Sequence, residues 1–402
     1  MKLVLICHPG FSRSQSMPRF AGMLKAAYES RGHSVEVWSP SARVFNWVPA
    51  RFSKWAGYVD QYLLFPMAMR SAVNRASKDT LFVFCDQALG PWVPLVRDRP
   101  HVVHVHDLLA LRSALGDIPE NPTAATGRLY QRYIRRGFRR GRHFISVSKK
   151  TLSDLNRFGG VTAATSEVVY NGMNFPYAPL PVAEARTILQ NCGISMPEAG
   201  MLLHVGGGQW YKNLAGVIAI YAEYVSRTAE PLPLWCVGPQ PSPAIEAAIA
   251  KIPQKGRVVF LRSVESATLQ ALYSAAKAFL FPSLAEGFGW PLLEAQACGC
   301  PVITTDEAPM NEVAGAGAFY LPRLAAPGDL AAWARHGAVV LQELLSESPA
   351  GKAQRREAGL AWAKRFDPNA AIDAYLAIYE RVLHGTKTAD DSFSVRNQSM
   401  QA

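Results

Sequence analysis

Two carboxylates frame the most informative stretch of this 402-residue chain, FPSLAEGFGWPLLEAQACGCPVI at positions 281–303. Glu286 follows an apolar run that ends at Phe281-Pro282. Glu294 lies in a segment that Pro291 suits as a helix start and Gly299 as its end. Between them, Gly287, Phe288, Gly289 and Trp290 form a glycine-rich entry to that helix. Such an entry presents unpaired N–H groups and the positive end of the helix dipole, which suits phosphate. Carboxylates repel phosphate, so Glu286 and Glu294 are better placed to accept hydrogen bonds from sugar hydroxyls beside it. A ribose and a hexose joined through phosphates fit this layout. Two other readings stay open: a helix entry with two solvated glutamates, and a hydrolase acid/base pair. Eight helical residues span about 12 Å, longer than the usual separation of paired glycosidase carboxylates.

A second candidate is HVGGGQWYKNL at 204–214. The turn Gly206-Gly207-Gly208 lets backbone approach a phosphate, and Lys212 supplies a cation; a solvated lysine after a turn is the plain alternative. The stretch is neither a Walker loop nor a GxGxxG fingerprint. A third is HVVHVHDLLALRS at 101–113. On a strand His104 and His106 share one side, and His106-Asp107 falls at the carboxyl end. A sugar contact, a metal site made of His104, His106 and Asp107, and a core histidine are all compatible with that pattern. The cysteines Cys7, Cys85, Cys192, Cys236, Cys298 and Cys300 are too scattered for a disulfide framework, and Cys298-Gly299-Cys300 lacks two further metal ligands nearby. They read as reduced, mostly buried thiols.

These residues need a scaffold. Hydrophobic residues make up 49% and charged residues 18%, a globular balance that excludes wholesale disorder. Lys+Arg 42 against Asp+Glu 31 gives +11, which favours anionic partners: phosphorylated substrates, acidic lipids or nucleic acid. The opening apolar run is too short for a signal-peptide core, and no run is long enough to span a membrane. The expectation is a cytoplasmic protein with any membrane contact peripheral, at the inner face. Strands are expected at Leu3–Cys7, Val35–Trp38, Thr80–Cys85, His101–His106 and Phe144–Val147. A second series falls at Met201–Val205, Leu234–Val237, Arg257–Leu261, Ala278–Pro282 and Val302–Thr304. Strands alternating with helical patterns imply an α/β fold of two Rossmann-like, doubly wound domains in series. Their expected extents are 1–178 and 179–366, with a linker at Tyr177–Pro181. A helix at 367–385 is expected to pack back on the first domain, and 386–402 reads as a disordered tail. In such sheets ligands bind beyond the carboxyl ends of the strands, where all three candidates fall.

The pair Glu286 and Glu294, with GFG between them, ACGCPV after them and NEVAG at 311–315, resembles the hallmark of retaining glycosyltransferase family 4. The stretch at 204–214 resembles the first strand and loop of that family's C-terminal domain. VVYNGMN at 168–174 resembles its domain junction, ISVSKKTLSDL at 145–155 the strand and helix before it, and His106-Asp107 its HD element. The likeness runs from about residue 1 to about 383 and is weakest at 40–100. It implies two domains facing a central cleft (the GT-B arrangement). It further implies transfer of a hexose, such as mannose, glucose or galactose, from a nucleotide diphosphate sugar to a saccharide or lipid-linked hydroxyl acceptor. Retention of configuration, no metal or other cofactor, and a setting in envelope or exopolysaccharide synthesis are implied too. Lys212 and the amides of Phe288, Gly289 and Trp290 would hold the diphosphate, Glu294 the ribose and Glu286 the hexose. His106, beside Asp107, would lie near the donor sugar. The backbone near Leu261-Arg262 would meet the nucleobase. Gly207 stands where many members carry an arginine, with Arg262 or Arg13 as possible substitutes. Ser16-Met17 replaces a Gly-Gly pair in the first loop, where the hydroxyl of Ser14 or Ser16 could serve instead. Rival readings are a nucleotide-sugar epimerase or hydrolase on the same fold, and a non-catalytic scaffold.

Two basic stretches complete the reading. Residues 51–75 mix Arg51, Lys54, Arg70 and Arg75 with Trp55, Tyr58, Tyr62 and Phe65, and 132–142 reads RYIRRGFRRGR. Contact with an anionic membrane, acceptor binding and plain packing all suit the first; lipid headgroups, nucleic acid or a solvated helix face suit the second. No nucleic-acid motif accompanies them, so no nucleic-acid partner is expected.

Overall fold

A computed structural model describes residues 1–11, 16–325 and 329–398. The chain forms two compact units, 1–174 with 368 onward, and 175–367. The first carries strands β1 (Lys2–Ile6), β2 (Ser34–Trp38), β3 (Thr80–Phe84), β4 (His101–Val105), β5 (His143–Ser146) and β6 (Thr165–Val168). All pair in parallel, in the order β2-β1-β3-β4-β5-β6. The second carries β7 (Leu202–Val205), β8 (Leu234–Val237), β9 (Val258–Leu261), β10 (Ala278–Phe281), β11 (Val302–Thr305) and β12 (Ala318–Leu321). Its order is β12-β11-β10-β7-β8-β9, again parallel. Helices flank each sheet, so central strands such as β3 (TLFVF) and β10 (AFLF) are buried on both faces and read as unbroken apolar runs.

In each sheet the strand order reverses once. The chain runs from β1 outward to β2, then returns to place β3 on the other side of β1. In the second sheet it runs from β7 through β8 to β9, then returns to place β10 beside β7. At such a switch point two strand-end loops diverge and leave a crevice.

The strands missed by sequence reading, β6 and β12, are both sheet edges. Their residues are mostly half-exposed, so they lack the apolar signal of the central strands. The unit boundary falls at Asn174/Phe175 rather than after residue 178. The reason is local. Gln270 donates to Ala178 O at 2.9 Å, the Leu180 N–H donates to Ser274 Oγ at 3.1 Å, and Tyr177 packs edge-on to Tyr273. These contacts bind residues 177–180 to the second unit.

The last helix, Pro368–Gln398, belongs to the first unit. Asp373 and Glu167 form ion pairs with Arg31 and Arg381 at 3.0 and 2.7 Å. Beneath them Tyr28 donates to Tyr379 Oη at 3.1 Å, and Tyr379 lies 2.6 Å from His104 Nε2. The helix continues past 386, where a disordered tail was expected, because 386–398 holds neither proline nor glycine to break it. Residues 399–402 lie outside the described residues.

Burial drives the pKa of His104 down to about 3. The folded state therefore holds it neutral while the unfolded chain takes up a proton below about pH 6.5. Stability is complete above that pH and falls as pH drops toward 3. At pH 5 the loss is roughly 2 kcal/mol relative to pH 7. Urea unfolding at the two pH values should show a drop smaller by about that amount in His104→Gln.

Candidate active site

The second unit's switch point, between β7 and β10, is where the sequence-predicted residues converge. Lys212 ends a tight turn, Trp210–Lys212, after β7. Glu286 lies in the loop after β10. The Lys212 ammonium donates to Glu286 Oε1 at 2.8 Å, with the two side chains only 13% and 7% exposed. Lys212 Nζ also lies 4.7 Å from the centroid of the Phe281 ring. An ammonium has three donors, and Glu286 engages one of them. His204 beneath is buried, donates through Nδ1–H to Leu280 O at 2.8 Å, and is held down to about 4 by burial and by the nearby Lys212 charge. The pair thus rests on a neutral floor.

The two loops are stitched together. Asn213 adopts a left-handed backbone (φ 52°), caps the helix Leu214–Arg227 by accepting the Gly216 N–H, and donates to Pro282 O at 3.0 Å. The Leu284 N–H donates to Tyr211 O at 2.7 Å. The loop after β8 joins them closely: a Cβ on Gly238 would lie 2.2 Å from Gly206 O, so only glycine fits there.

Gly289 (φ 100°) turns the chain into the helix Trp290–Ala297, with Pro291 in its first turn. That φ strains any other residue. Gly287, Phe288 and Gly289 are buried and Trp290 half-buried. Glu294, on the same helix, is buried and accepts a hydrogen bond from Tyr273 Oη at 3.1 Å. Burial first, and then the Glu294 charge, push the Tyr273 phenol well above its ordinary value, so it stays a donor. The arrangement therefore offers a held cation, a helix N-terminus and two buried carboxylates along one loop and helix.

Comparison with known proteins decides what this constellation belongs to. Residues 17–175 match the model described as Glycosyltransferase Family 4, and 199–343 match Glycosyl transferases group 1. The chain belongs to the family 4, group 1 glycosyltransferases. It is 29% identical over 224 residues to the O-antigen chain mannosyltransferase B of Escherichia coli, covering 55% of this chain and 56% of that one. The chain thus aligns with little more than half the length of that relative. Among solved structures, sucrose-phosphate synthase from Thermosynechococcus elongatus superposes with a TM-score of 0.72 at 18% identity, over 96% of this chain and 99% of the other. HepE of Anabaena, solved with UDP and glucose, gives 0.63 at 17%, over 94% and 98%. The two parallel six-stranded sheets with flanking helices are the GT-B architecture of these glycosyltransferases.

The other residues singled out in the sequence lie outside the Lys212–Glu286 contact. Arg262 is exposed after β9, two strands from β7, and makes no ion pair among the described residues. At about 5 Å per strand that is about 10 Å from the β7 loop. Arg13 and Ser14 lie outside the described residues, as does the side chain of Ser16. Gly207, in the turn after β7, carries no charge, and it is Gly206 that lies close to Lys212. Asp107 accepts the N–H of Leu109, the first residue of the helix Leu109–Ala114, at 3.0 Å. His106, at the end of β4, donates through Nε2–H to Cys85 O at 3.0 Å. Burial pushes its pKa down, so the ring is neutral and Nδ1 is an acceptor. His104 is committed to Tyr379. Among the described residues, no three His, Cys, Asp or Glu side chains group as metal ligands. Sequence reading missed Arg323, which donates to Leu284 O at 2.9 Å and ties the Glu286 loop to the end of β12. Its only signal is a cation just after an edge strand.

Removing one member of a buried ion pair strands the other. Lys212→Met should cost about 3 kcal/mol, and the double variant Lys212→Met/Glu286→Leu should recover at least half of it, measured by chemical denaturation.

Proposed function

We propose that this glycosyltransferase moves a hexose, with mannose the first candidate, from a nucleotide diphosphate sugar to a hydroxyl acceptor, with retention of configuration. The Lys212–Glu286 pair at the β7/β10 switch point, beside the Gly289–Trp290 helix entry, carries the reading. Lys212 and the helix-entry amides neutralise the charge that grows on the departing diphosphate. Glu294 accepts from the ribose hydroxyls, and Glu286 accepts from the hexose and orients its anomeric carbon. In the first unit, the acceptor nitrogen of His106 suits a sugar hydroxyl. The acceptor oxygen attacks the anomeric carbon on the side the phosphate leaves. The carbon–oxygen bond to phosphate breaks with its electron pair on the nucleotide diphosphate, and a phosphate oxygen takes the acceptor's proton. No enzymic nucleophile and no metal take part. Likeness to an O-antigen mannosyltransferase supports mannose and an envelope-polysaccharide setting.

A thermal-shift screen of UDP-, GDP- and ADP-sugars should select one base. With that donor, Glu286→Ala and Lys212→Ala should each lose about a hundredfold in transfer while remaining folded. Transfer should continue in excess EDTA, and the product anomer read by NMR should match the donor. Near-normal turnover in both variants would overturn these roles.

The acceptor reading extends to a lipid-linked sugar at an anionic membrane. Support comes from one surface of the first unit. From Phe52, just before the helical run Ser53–Arg75, the exposed residues Phe52, Trp55, Val59, Leu63 and Met67 recur every three or four positions. The helix Ala125–Phe138 packs alongside through Tyr62 and Tyr130, whose hydroxyls lie 2.5 Å apart, and adds exposed Leu129 and Tyr133. Arg51, Lys54, Arg70, Arg128, Arg132 and Arg136 are exposed around these apolar groups. The only acid in 43–75 is Asp60, buried and occupied by the Val44 and Phe45 amides. Apolar insertion ringed by cations fits an anionic bilayer surface. No helix among the described residues is long and apolar enough to cross a membrane. Co-sedimentation with phosphatidylglycerol vesicles should be strong, weak with phosphatidylcholine, and lost in Trp55→Ser/Leu63→Ser. Equal binding to both lipids would remove this surface from the account.

A further inference from the structure

Two elements of the first unit meet around a cavity remote from its strand-end loops. The segment Gln87–Val96 leads to Arg97, four residues before β4, and the helix Ala125–Phe138 leads to Arg140, three residues before β5. Their backbones touch: a Cβ on Gly137 would lie 2.1 Å from Gly90 O, and one on Gly90 would lie 2.5 Å from Ile134 O. Glycine at both positions lets the elements pack with no side chain between them. Beside this contact is a cavity of about 310 Å³, lined by Pro91, Pro94, Arg97, Tyr133, Arg136 and Arg140. It lies toward the amino ends of β4 and β5, whereas ligands of open α/β sheets bind beyond the carboxyl ends.

The arginines of this region divide by what they touch. Arg135 and Arg139 donate through Nε–H to Gly159 O at 3.1 Å and to Gly160 O at 2.6 Å. Arg99 donates to Val73 O at 2.7 Å and to Ala76 O at 3.1 Å. These three hold loops by their carbonyls. Arg136 and Arg140 each stand one position further on, and their side chains make no hydrogen bond or ion pair among the described residues. Arg97 donates through Nε–H to Asp98 Oδ2 at 3.1 Å, an exposed pair that contributes little. Its terminal nitrogens make no hydrogen bond among the described residues. Arg136 and Arg140 are like charges four positions apart, a spacing that repels. The negative end of the helix dipole explains a cation here. It does not explain why Arg97, from another element, shares the same cavity.

The lining also sets the chemistry of a guest. Pro91 and Pro94 have no N–H, so recognition of polar atoms falls to the guanidinium groups and the Tyr133 hydroxyl. Burial raises the Tyr133 phenol, which stays protonated and able to donate. A guanidinium fork matches phosphate oxygens two at a time. A carboxylate occupies one such fork, and a phosphodiester carries one charge. Three arginines against one exposed acid suit a group with two or more charges on clustered oxygens. We propose that the Arg97–Arg136–Arg140 cavity binds a terminal phosphate or diphosphate group, with the proline wall and the Tyr133 ring against the carbon portion of the ligand. All its residues belong to the first unit, so the site is separate from the Lys212–Glu286 pocket, and it does not rest on the sugar-transfer reading. Tyr133 also belongs to the exposed apolar patch that includes Leu129, so a soluble ester and a lipid headgroup both offer this chemistry.

Arginine footprinting of the full chain with phenylglyoxal, read by mass spectrometry, tests the site with inorganic diphosphate as probe. Diphosphate should slow modification of Arg97, Arg136 and Arg140 by about fivefold and leave Arg128 and Arg132, on the same helix but outside the cavity, within about twofold. The calorimetric titration with diphosphate should show a component weakened about tenfold in Arg97→Gln/Arg140→Gln and unchanged in Arg128→Gln/Arg132→Gln. Any binding of the probe in the second unit is common to both variants and cancels in the comparison. The substituted side chains are exposed, so thermal melts should match the wild type. Phosphatidylcholine vesicles carrying phosphatidic acid, a terminal phosphate, or phosphatidylglycerol, a diester, at equal surface charge separate the two sources. About fivefold tighter binding to phosphatidic acid, lost in Arg97→Gln/Arg140→Gln, assigns a lipid headgroup. Equal binding to both lipids with the diphosphate footprint intact assigns a soluble ester. Equal protection of every exposed arginine, protection of none, or an unchanged titration in Arg97→Gln/Arg140→Gln overturns the site.

Discussion

The second unit is organised around an ammonium and a carboxylate that meet at 2.8 Å with little access to water. Withdrawing two such charges from solvent costs several kcal/mol each, and their attraction offsets this only when geometry is fixed and neighbouring groups are satisfied. Much of the local backbone serves that end. Asn213 gives up ordinary backbone geometry to cap one helix and reach Pro282, Leu284 is bonded to Tyr211, and Arg323 fixes Leu284 from the far side. The pair holds the Lys212 ammonium in place, and electrostatic work on a leaving group requires that kind of fixity.

What brings the partners together is strand order. Lys212 and Glu286 are far apart in sequence, yet the return of the chain from β9 to β10 sets their loops side by side. The same reversal in the first unit joins the ends of β1 and β3 and with them His8 and Asp86. One architecture, used twice, makes two crevices, and the side chains at the strand ends decide what each can hold. A cation with spare donors suits an anion.

Much of this was legible in the chain because it is local. A buried parallel strand is a short apolar run, and Pro291 and Gly299 bracket their helix within a few residues. The spacing of Glu286 and Glu294 needs no tertiary knowledge. The parts that stayed hidden depend on contacts distant in sequence. His8 and Asp86 are 78 positions apart, and neither stands out alone. Only the rule that strand-end residues matter would have flagged them. Edge strands β6 and β12 lack the double-sided burial that marks their neighbours. The Phe175 boundary depends on Gln270 and Ser274, far along the second unit.

Gly207 sharpens the electrostatics of the donor pocket. Many family members place a guanidinium at this position, and here the loop has only a glycine. Arg262 stands after β9, two strands away. With Lys212 already paired to Glu286, the side chains closest to the switch point sum to nearly zero charge. In the proposed donor reading, a diphosphate draws most of its stabilisation from N–H groups: those at the Gly289–Trp290 helix entry and those of the glycine turn after β7. The close approach of Gly206 and Gly238 and the positive φ of Gly289 fit that division of labour. Each gives backbone access that a Cβ would block or strain. In the proposed donor reading, fixed backbone dipoles therefore outweigh side-chain charge, and the geometry of these turns sets phosphate binding.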